Sequence, residues 1–150
     1  MEKLLIDITQ YLPHRKPMLM VDAIVDISHD RVCTEFLITP SCIFLQNNQL
    51  QESGVIEHIA QTCSSIVAQE YFVNTDVKCK LLGFITGIKS IKILKKPMCD
   101  DKIRSYARLK SRLDQQDYVL CSIECQTFCN DINIAQAEIS LILSNVLNVK

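Results

Sequence analysis

Glu57 and His58 adjoin one another about one turn into the stretch Glu52-Ser53-Gly54-Val55-Ile56-Glu57-His58-Ile59-Ala60-Gln61-Thr62. His14 stands between two prolines in Leu12-Pro13-His14-Arg15-Lys16-Pro17-Met18, and His29 lies in Ser28-His29-Asp30. These side chains can hold or move a proton near neutral pH. A carboxylate at the start of an otherwise apolar helix has two readings. It favours the positive end of the helix dipole, or it is an acid held at the mouth of an apolar site. Neighbours on a helix point about 100° apart, so Glu57 and His58 do not face one substrate together. His58 is therefore expected at a dimer edge or in solvent, and His29, in a turn, takes no role.

Eight cysteines are the other reactive group, at positions 33, 42, 63, 79, 99, 121, 125 and 129. None forms a C-x-x-C pair, so the usual zinc spacing is missing and no metal is expected. Cys121, Cys125 and Cys129 recur every fourth residue on one face of an expected strand. At strand rise they lie about 13 Å apart, too far to share a metal or a disulfide. Reduced core thiols of a cytoplasmic protein are the expectation.

The elements that must position these groups follow from hydrophobic periodicity. Val55, Ile56, Ile59, Ala60, Cys63, Ile66, Val67, Tyr71 and Phe72 recur at three- and four-residue spacing, an amphipathic helix over residues 52–72. A short helix is expected over 3–11, ended by Pro13. Strands are expected over 18–27 and 31–38, joined by the turn at 28–30. Residues 39–51 read as irregular and 74–80 as a loop. Further strands follow over 81–95 (bent or split), 102–113, 118–129 and 132–143, with a frayed tail from 144. In 102–113, Ile103, Ala107, Leu109 and Leu113 point one way, and Lys102, Arg104, Arg108, Lys110 and Arg112 the other, a half-buried strand with a solvated basic face.

One long helix among long strands is an α+β layer solution, an antiparallel sheet of five to six strands around a buried helix. At 150 residues and 48% hydrophobic, the chain is long enough for one domain with a real core. A net charge of −1 gives no global attraction to nucleic acid. No apolar run reaches a membrane span and the N-terminus shows no secretory pattern. Three glycines leave no Gly-rich phosphate loop, and no cofactor is expected.

Three segments resemble a known family. Leu12-Pro13-His14-Arg15-Lys16-Pro17-Met18-Leu19-Met20-Val21-Asp22 is similar to the LPHRxPxLxVD lead-in of the β-hydroxyacyl (acyl carrier protein) dehydratases. Gly54-Val55-Ile56-Glu57-His58-Ile59-Ala60-Gln61 resembles their central-helix motif. Gly87-Ile88-Lys89-Ser90-Ile91-Lys92-Ile93-Leu94-Lys95-Lys96-Pro97 resembles their GIxxxxFxxP strand, with the proline displaced by one. Within the family, Leu81-Leu82-Gly83 and Ala60-Gln61-Thr62 resemble the small dehydratase-like proteins of aryl-polyene and flexirubin-type pigment clusters.

The resemblance implies a hotdog fold, a dimer, and elimination of water from an acyl thioester. Such an elimination needs a base for the proton beside the thioester carbonyl and an acid for the departing hydroxyl. A backbone N–H at the helix start, where Gly54 stands, polarises the carbonyl. The family's helix acid matches Glu57. Its base is a His in a GHFPG loop, but ungapped counting puts Cys42-Ile43-Phe44-Leu45 there, with Ile43 in the place of the His. The base is then His14, or the His of a second hotdog protein in a heterodimer that pairs Glu57 with an intact partner.

The implied partner is an acidic acyl carrier protein with a phosphopantetheine-linked chain. Lys92, Lys95 and Lys96 are its candidate contacts, in a cluster with Lys89, Lys102 and Arg104. Phe44, Leu45, Phe84, Ile85 and Ile88 line an acyl tunnel or fill the core; periodicity does not separate the two. The fold also admits a non-catalytic thioester-binding subunit or a thioesterase.

Overall fold

The computed structural model describes residues 5–72 and 81–145; the expected loop at 74–80, Cys79 and the last five residues lie outside it. The elements are β1 (Ile6–Asp7), a 3-10 turn (Ile8–Gln10), β2 (Ala23–Ile27), β3 (Arg31–Leu37), β4 (Leu45–Gln46), β5 (Gln49–Leu50), α1 (Glu52–Phe72), β6 (Leu81–Ile93), β7 (Lys102–Asp114), β8 (Tyr118–Cys129) and β9 (Ile132–Asn145). Seven strands form one sheet in the order β1-β2-β3-β7-β8-β9-β6, all neighbours antiparallel. The sheet packs around α1, the hotdog arrangement.

The helix is enclosed more fully than an amphipathic pattern requires. Every residue from His58 to Ala68 is buried. A sheet that curls round a helix leaves it no solvent face, so its polar residues must find partners inside. Thr62 Oγ1 lies 2.8 Å from Thr34 Oγ1 of β3 and 2.9 Å from the His58 carbonyl. Ser64 and Ser65 donate back to the Ala60 and Thr62 carbonyls at 2.9 and 2.6 Å. Facing them, alternate residues of the long strands fill the core: Ile103 and Ala107 of β7, Cys121, Ile123 and Cys125 of β8, Ile139 and Leu141 of β9. The cysteines at 33, 63, 121, 125 and 129 are buried thiols. Burial, and Cys125 beside it, push the Cys63 thiol well up, so it behaves as a small core hydrophobe.

Four elements differ from the periodicity. The expected N-terminal helix shrinks to the 3-10 turn, capped by the Asp7 carboxylate on the Thr9 N–H at 2.9 Å, and its front end adds a short seventh strand. Residues 18–20 look β-rich but leave the ladder, because Gln61 and His58 of α1 take the Met18 carbonyl and both Met20 backbone groups. The irregular stretch at 39–51 contains a small hairpin, β4 with β5, turned by Asn47 and Asn48 at φ 52° and 62°. Both central residues are left-handed, which Asn tolerates and a tight hairpin turn needs. In β7 a register shift between Leu109 and Ser111 inserts one residue. Side-chain parity flips beyond it, so Leu113 is exposed rather than facing the core. β6 runs unbroken but carries two such shifts, at Ile85/Gly87 and Ile88/Ser90.

Candidate functional site

Glu57 sits on the second turn of α1, where the helix emerges under the lead-in segment at residues 12–22. Its carboxylate is partly exposed, with Oε1 3.8 Å from His14 Nε2. The two residues that sequence singled out for proton chemistry are thus brought together, from positions 43 residues apart.

Gln61, one turn on from Glu57, is the fastener between helix and segment. Its Nε2 donates to Glu57 Oε1 at 2.8 Å and to the Met18 carbonyl at 2.9 Å, while its Oε1 accepts the Met20 N–H at 2.8 Å. An amide with two donors and one carbonyl is satisfied in this way in only one orientation. The same side chain therefore fixes the acid and the segment that carries His14. Arg15 tightens the turn from the other side, its Nη1 donating to the Leu12 and His14 carbonyls at 2.9 and 2.8 Å. Asp22 closes the segment by accepting the Leu37 N–H at 2.7 Å.

His58 corrects the expectation of a dimer edge or solvent. It is fully buried and stacks on Phe36 at 6.0 Å between ring centroids. Its Nδ1 lies 2.7 Å from the Met20 carbonyl and its Nε2 2.8 Å from Ser105 Oγ, which lies 2.7 Å from Thr127 Oγ1. A carbonyl only accepts, so Nδ1 carries the proton. In the neutral ring Nε2 then accepts from Ser105, and Thr127 donates to Ser105. Burial pushes this imidazole down to about 4, against a smaller upward effect of the Met20 carbonyl. His58 is a structural fastener, and with Gln61 it holds residues 18–20 against the helix. A buried His and Gln on an otherwise apolar helix were the available sequence signal for both.

His14 is set differently. Burial holds it below the ordinary imidazole value; the Glu57 carboxylate raises it without cancelling that effect, and Arg15 adds to the lowering. The net lowering favours the neutral ring. Its Nδ1 is enclosed and, among the described residues, is the one buried side-chain nitrogen or oxygen with no hydrogen-bond partner.

At the helix start, Phe44 lies across Gly54. A Cβ on Gly54 would meet Leu50 Cδ1 at 2.6 Å and Phe44 Cβ at 2.7 Å, so only glycine allows the β4–β5 hairpin this close. The Gly54 N–H already donates to the Gln51 carbonyl at 2.9 Å. Ile43, in the place of the family's His, is an exposed apolar side chain that moves no proton.

The register of β6 separates the apolar tunnel candidates. Phe84 pairs with Ile142 and faces away from the helix, level with Leu120 and Leu113 on the next strands. Ile88 pairs with the core residue Ile139 and Ile85 with Leu141, so both face the helix side. All three are exposed, at 56, 45 and 40%, because β6 is the sheet edge.

Among the lysines, Lys92 and Lys95 are exposed, and Lys96 bends to the helix start, 3.5 Å from Glu52. The basic face of β7 is largely neutralised. Lys102 and Arg104 pair with Glu35, Arg108 with Glu124 and Lys110 with Glu138, while Arg112, turned to the other face beyond the shift, pairs with Asp114. Burial opposes ionisation of Glu35, but Arg104 and Lys102 outweigh it and hold its carboxyl below the usual range. A broad concavity of about 1040 Å³ opens on this outer face, away from His14 and Glu57. Among the described residues no group of three acidic, His or Cys side chains is placed to hold a metal, and no helix is long and apolar enough to cross a membrane.

A family model of ApeP-like proteins, described as ApeP dehydratase, matches residues 6–149. The chain belongs to the ApeP-like dehydratase family. Among solved structures, the dehydratase heterocomplex ApeI:P from Xenorhabdus doucetiae is similar with a TM-score of 0.81 at 16% identity, over 95% of this chain and 93% of that one. A hypothetical thioesterase with coenzyme A from Streptococcus pneumoniae TIGR4 is similar at 0.60 and 12%, over 81% and 84%. Cj0977, a sigma28-regulated virulence protein from Campylobacter jejuni, is similar at 0.61 and 11%, over 86% and 79%. At these identities the structures share the fold of this ApeP-like chain. No curated protein matches it by sequence.

Proposed function

We propose that this chain is one subunit of a heteromeric dehydratase that removes water from a β-hydroxyacyl thioester borne on an acyl carrier protein. It contributes Glu57 as the acid, and a second hotdog protein contributes the histidine base. The observation that carries this reading is a carboxylate held in a fixed orientation by Gln61, with Ile43 where the family's base would stand. The similar ApeI:P structure is itself a heterocomplex of a dehydratase, which supports a hotdog partner.

In the elimination the partner's base takes the proton α to the thioester carbonyl. Those electrons form the double bond, the β-carbon–oxygen bond breaks, and Glu57 protonates the departing hydroxyl so that it leaves as water. The exposed, helix-facing Ile85 and Ile88 on β6 are placed to receive either the acyl chain or the partner's edge. Lys96 reaches the start of α1 at Glu52, and Lys92, Lys95 and Lys96 are the proposed contacts for an acidic carrier protein.

The test mixes this chain with an intact hotdog dehydratase encoded beside it and follows enoyl absorbance from a β-hydroxyacyl carrier protein. Activity present only in the mixture, and lost in Glu57→Gln, is the expected result. Undiminished activity with Glu57→Gln overturns it. Release of free thiol without enoyl product marks a thioesterase instead, and turnover by this chain alone makes His14 the base.

A further inference from the structure

His14 closes one side of a small cavity that the acid–base reading does not use. Tyr11, Leu12 and Pro13 of the same segment form its floor, Ser64 and Ala68 of α1 one wall, and Gly83 of β6 with Leu143 of β9 the other. Its volume is about 20 Å³. A water needs roughly 10–15 Å³ of such space together with polar partners. Two are present. His14 Nδ1 is enclosed and has no protein partner. Ser64 Oγ donates its hydrogen to the Ala60 carbonyl at 2.9 Å, which leaves that oxygen as an acceptor only.

We propose that this cavity is a one-water site, and that Ser64 is a positioning residue which, through that water, fixes the ring tautomer of His14. The hydrogen count decides which one. Ser64 Oγ accepts one hydrogen of the water. On the opposite edge of the ring, Nε2 lies 3.8 Å from Glu57 Oε1, and the negative charge there favours the N–H on that side without a hydrogen bond. Nδ1 then accepts the second hydrogen of the water. Both hydrogens are used, and the buried nitrogen is no longer left without a partner. Of the titratable groups facing the ring, Glu57 favours this tautomer, and Arg15 acts on the charge of the ring rather than on either nitrogen. A His14 with its N–H towards Glu57 and its Nδ1 lone pair on the water has no lone pair left for a proton of the substrate and is no base. The inference thus deepens the reading in which the base comes from the partner, but its test needs no turnover.

The test is a nitrogen-15 spectrum of the histidine side chains of the full chain at pH 7.5, with Ser64→Ala and Gly83→Ala beside wild type. A Cβ on Gly83 comes no closer than 3.6 Å to Ser64 Oγ, so it fills the cavity without displacing the fold. The expected wild-type spectrum has a protonated Nε2 and a bare, hydrogen-bonded Nδ1 at His14. In both variants the Nδ1 resonance shifts towards that of a free, unbonded nitrogen, while His58 is unchanged. A wild-type ring protonated at Nδ1, or variants that leave Nδ1 where it was, overturn the proposal. A crystal structure of wild type with Leu143 or Tyr11 occupying the cavity also overturns it.

Discussion

His14 Nε2 and Glu57 Oε1 stand 3.8 Å apart, on two elements that Gln61 alone fastens to the carboxylate and to the backbone at once. At that distance the carboxylate charge acts on the imidazole, and the separation is too long for a hydrogen bond. The direction of the carboxylate is set by Gln61.

The first prediction concerns that coupling. Glu57 is the only group that raises His14 against its burial. In Glu57→Gln the midpoint of His14 falls further below the ordinary imidazole value, and in Gln61→Leu it moves in the same direction as the freed carboxylate swings away. Histidine titration by NMR checks both; a rise in either variant rules out the geometry.

Removing the fastener also affects stability. Gln61→Leu leaves the Met20 N–H and the Met18 carbonyl without their side-chain partner in a buried setting. The cost is about 1–3 kcal/mol per group left unsatisfied. Urea denaturation of the variant, with limited proteolysis mapping residues 12–22 as the first cleaved region, gives the measurement.

His58 predicts a pH window. Its folded value of about 4 lies below the ordinary 6.5, so the unfolded chain takes up the proton first. Stability from this group is full above about pH 6.5 and is lost as pH falls towards 4, on the order of 3 kcal/mol in all. Depressed carboxylates such as Glu35 begin to act only near pH 4.5, at the lower edge of this window. Denaturation midpoints at pH 7.5 and 4.5 should therefore converge in His58→Asn relative to wild type, with the variant already weaker at the higher pH.

Gly54→Ala tests the seat of Phe44. The new methyl group cannot be housed within 2.7 Å of Phe44 Cβ, so the β4–β5 hairpin must lift from the helix. Overpacking of this kind costs about 1–3 kcal/mol. An unchanged thermal midpoint would show that the hairpin is not seated as described.

The β6 edge gives the last prediction. Ile88→Asp places a charge on the exposed helix-side edge and should weaken assembly with a hotdog partner at least tenfold by titration calorimetry, a change of about 1.4 kcal/mol. Leu113→Ser, on the outer face at the far side of the Lys110 bulge, should leave assembly unchanged. Equal effects of the two would show that the edge is not the contact.

The long elements were legible because their signal is repetitive. The strand at 118–129 ends where alternation ends, and the helix at 52–72 matches its periodic run. The misreadings share a cause: a tertiary partner outcompeted a local preference. Residues 18–20 have strand composition, yet Gln61 and His58 claim the Met18 carbonyl and both Met20 backbone groups. Leu113 follows the alternation, yet a single inserted residue reverses it. In the site, Glu57 and His14 were visible as titratable residues in motifs, but their proximity depends on a contact across 43 positions that no local pattern encodes. Phe84 and Ile88, four apart, would share a face in an ideal strand; the register shift between Ile85 and Gly87 places them on opposite ones.

The chain holds three histidines, and each occupies a different world. His29 is 90% exposed, His58 is sealed in the core, and His14 stands between them at the site. A single titration thus carries its own calibration. His58 reports whether the interior is intact, and only a change confined to His14 is news from the site.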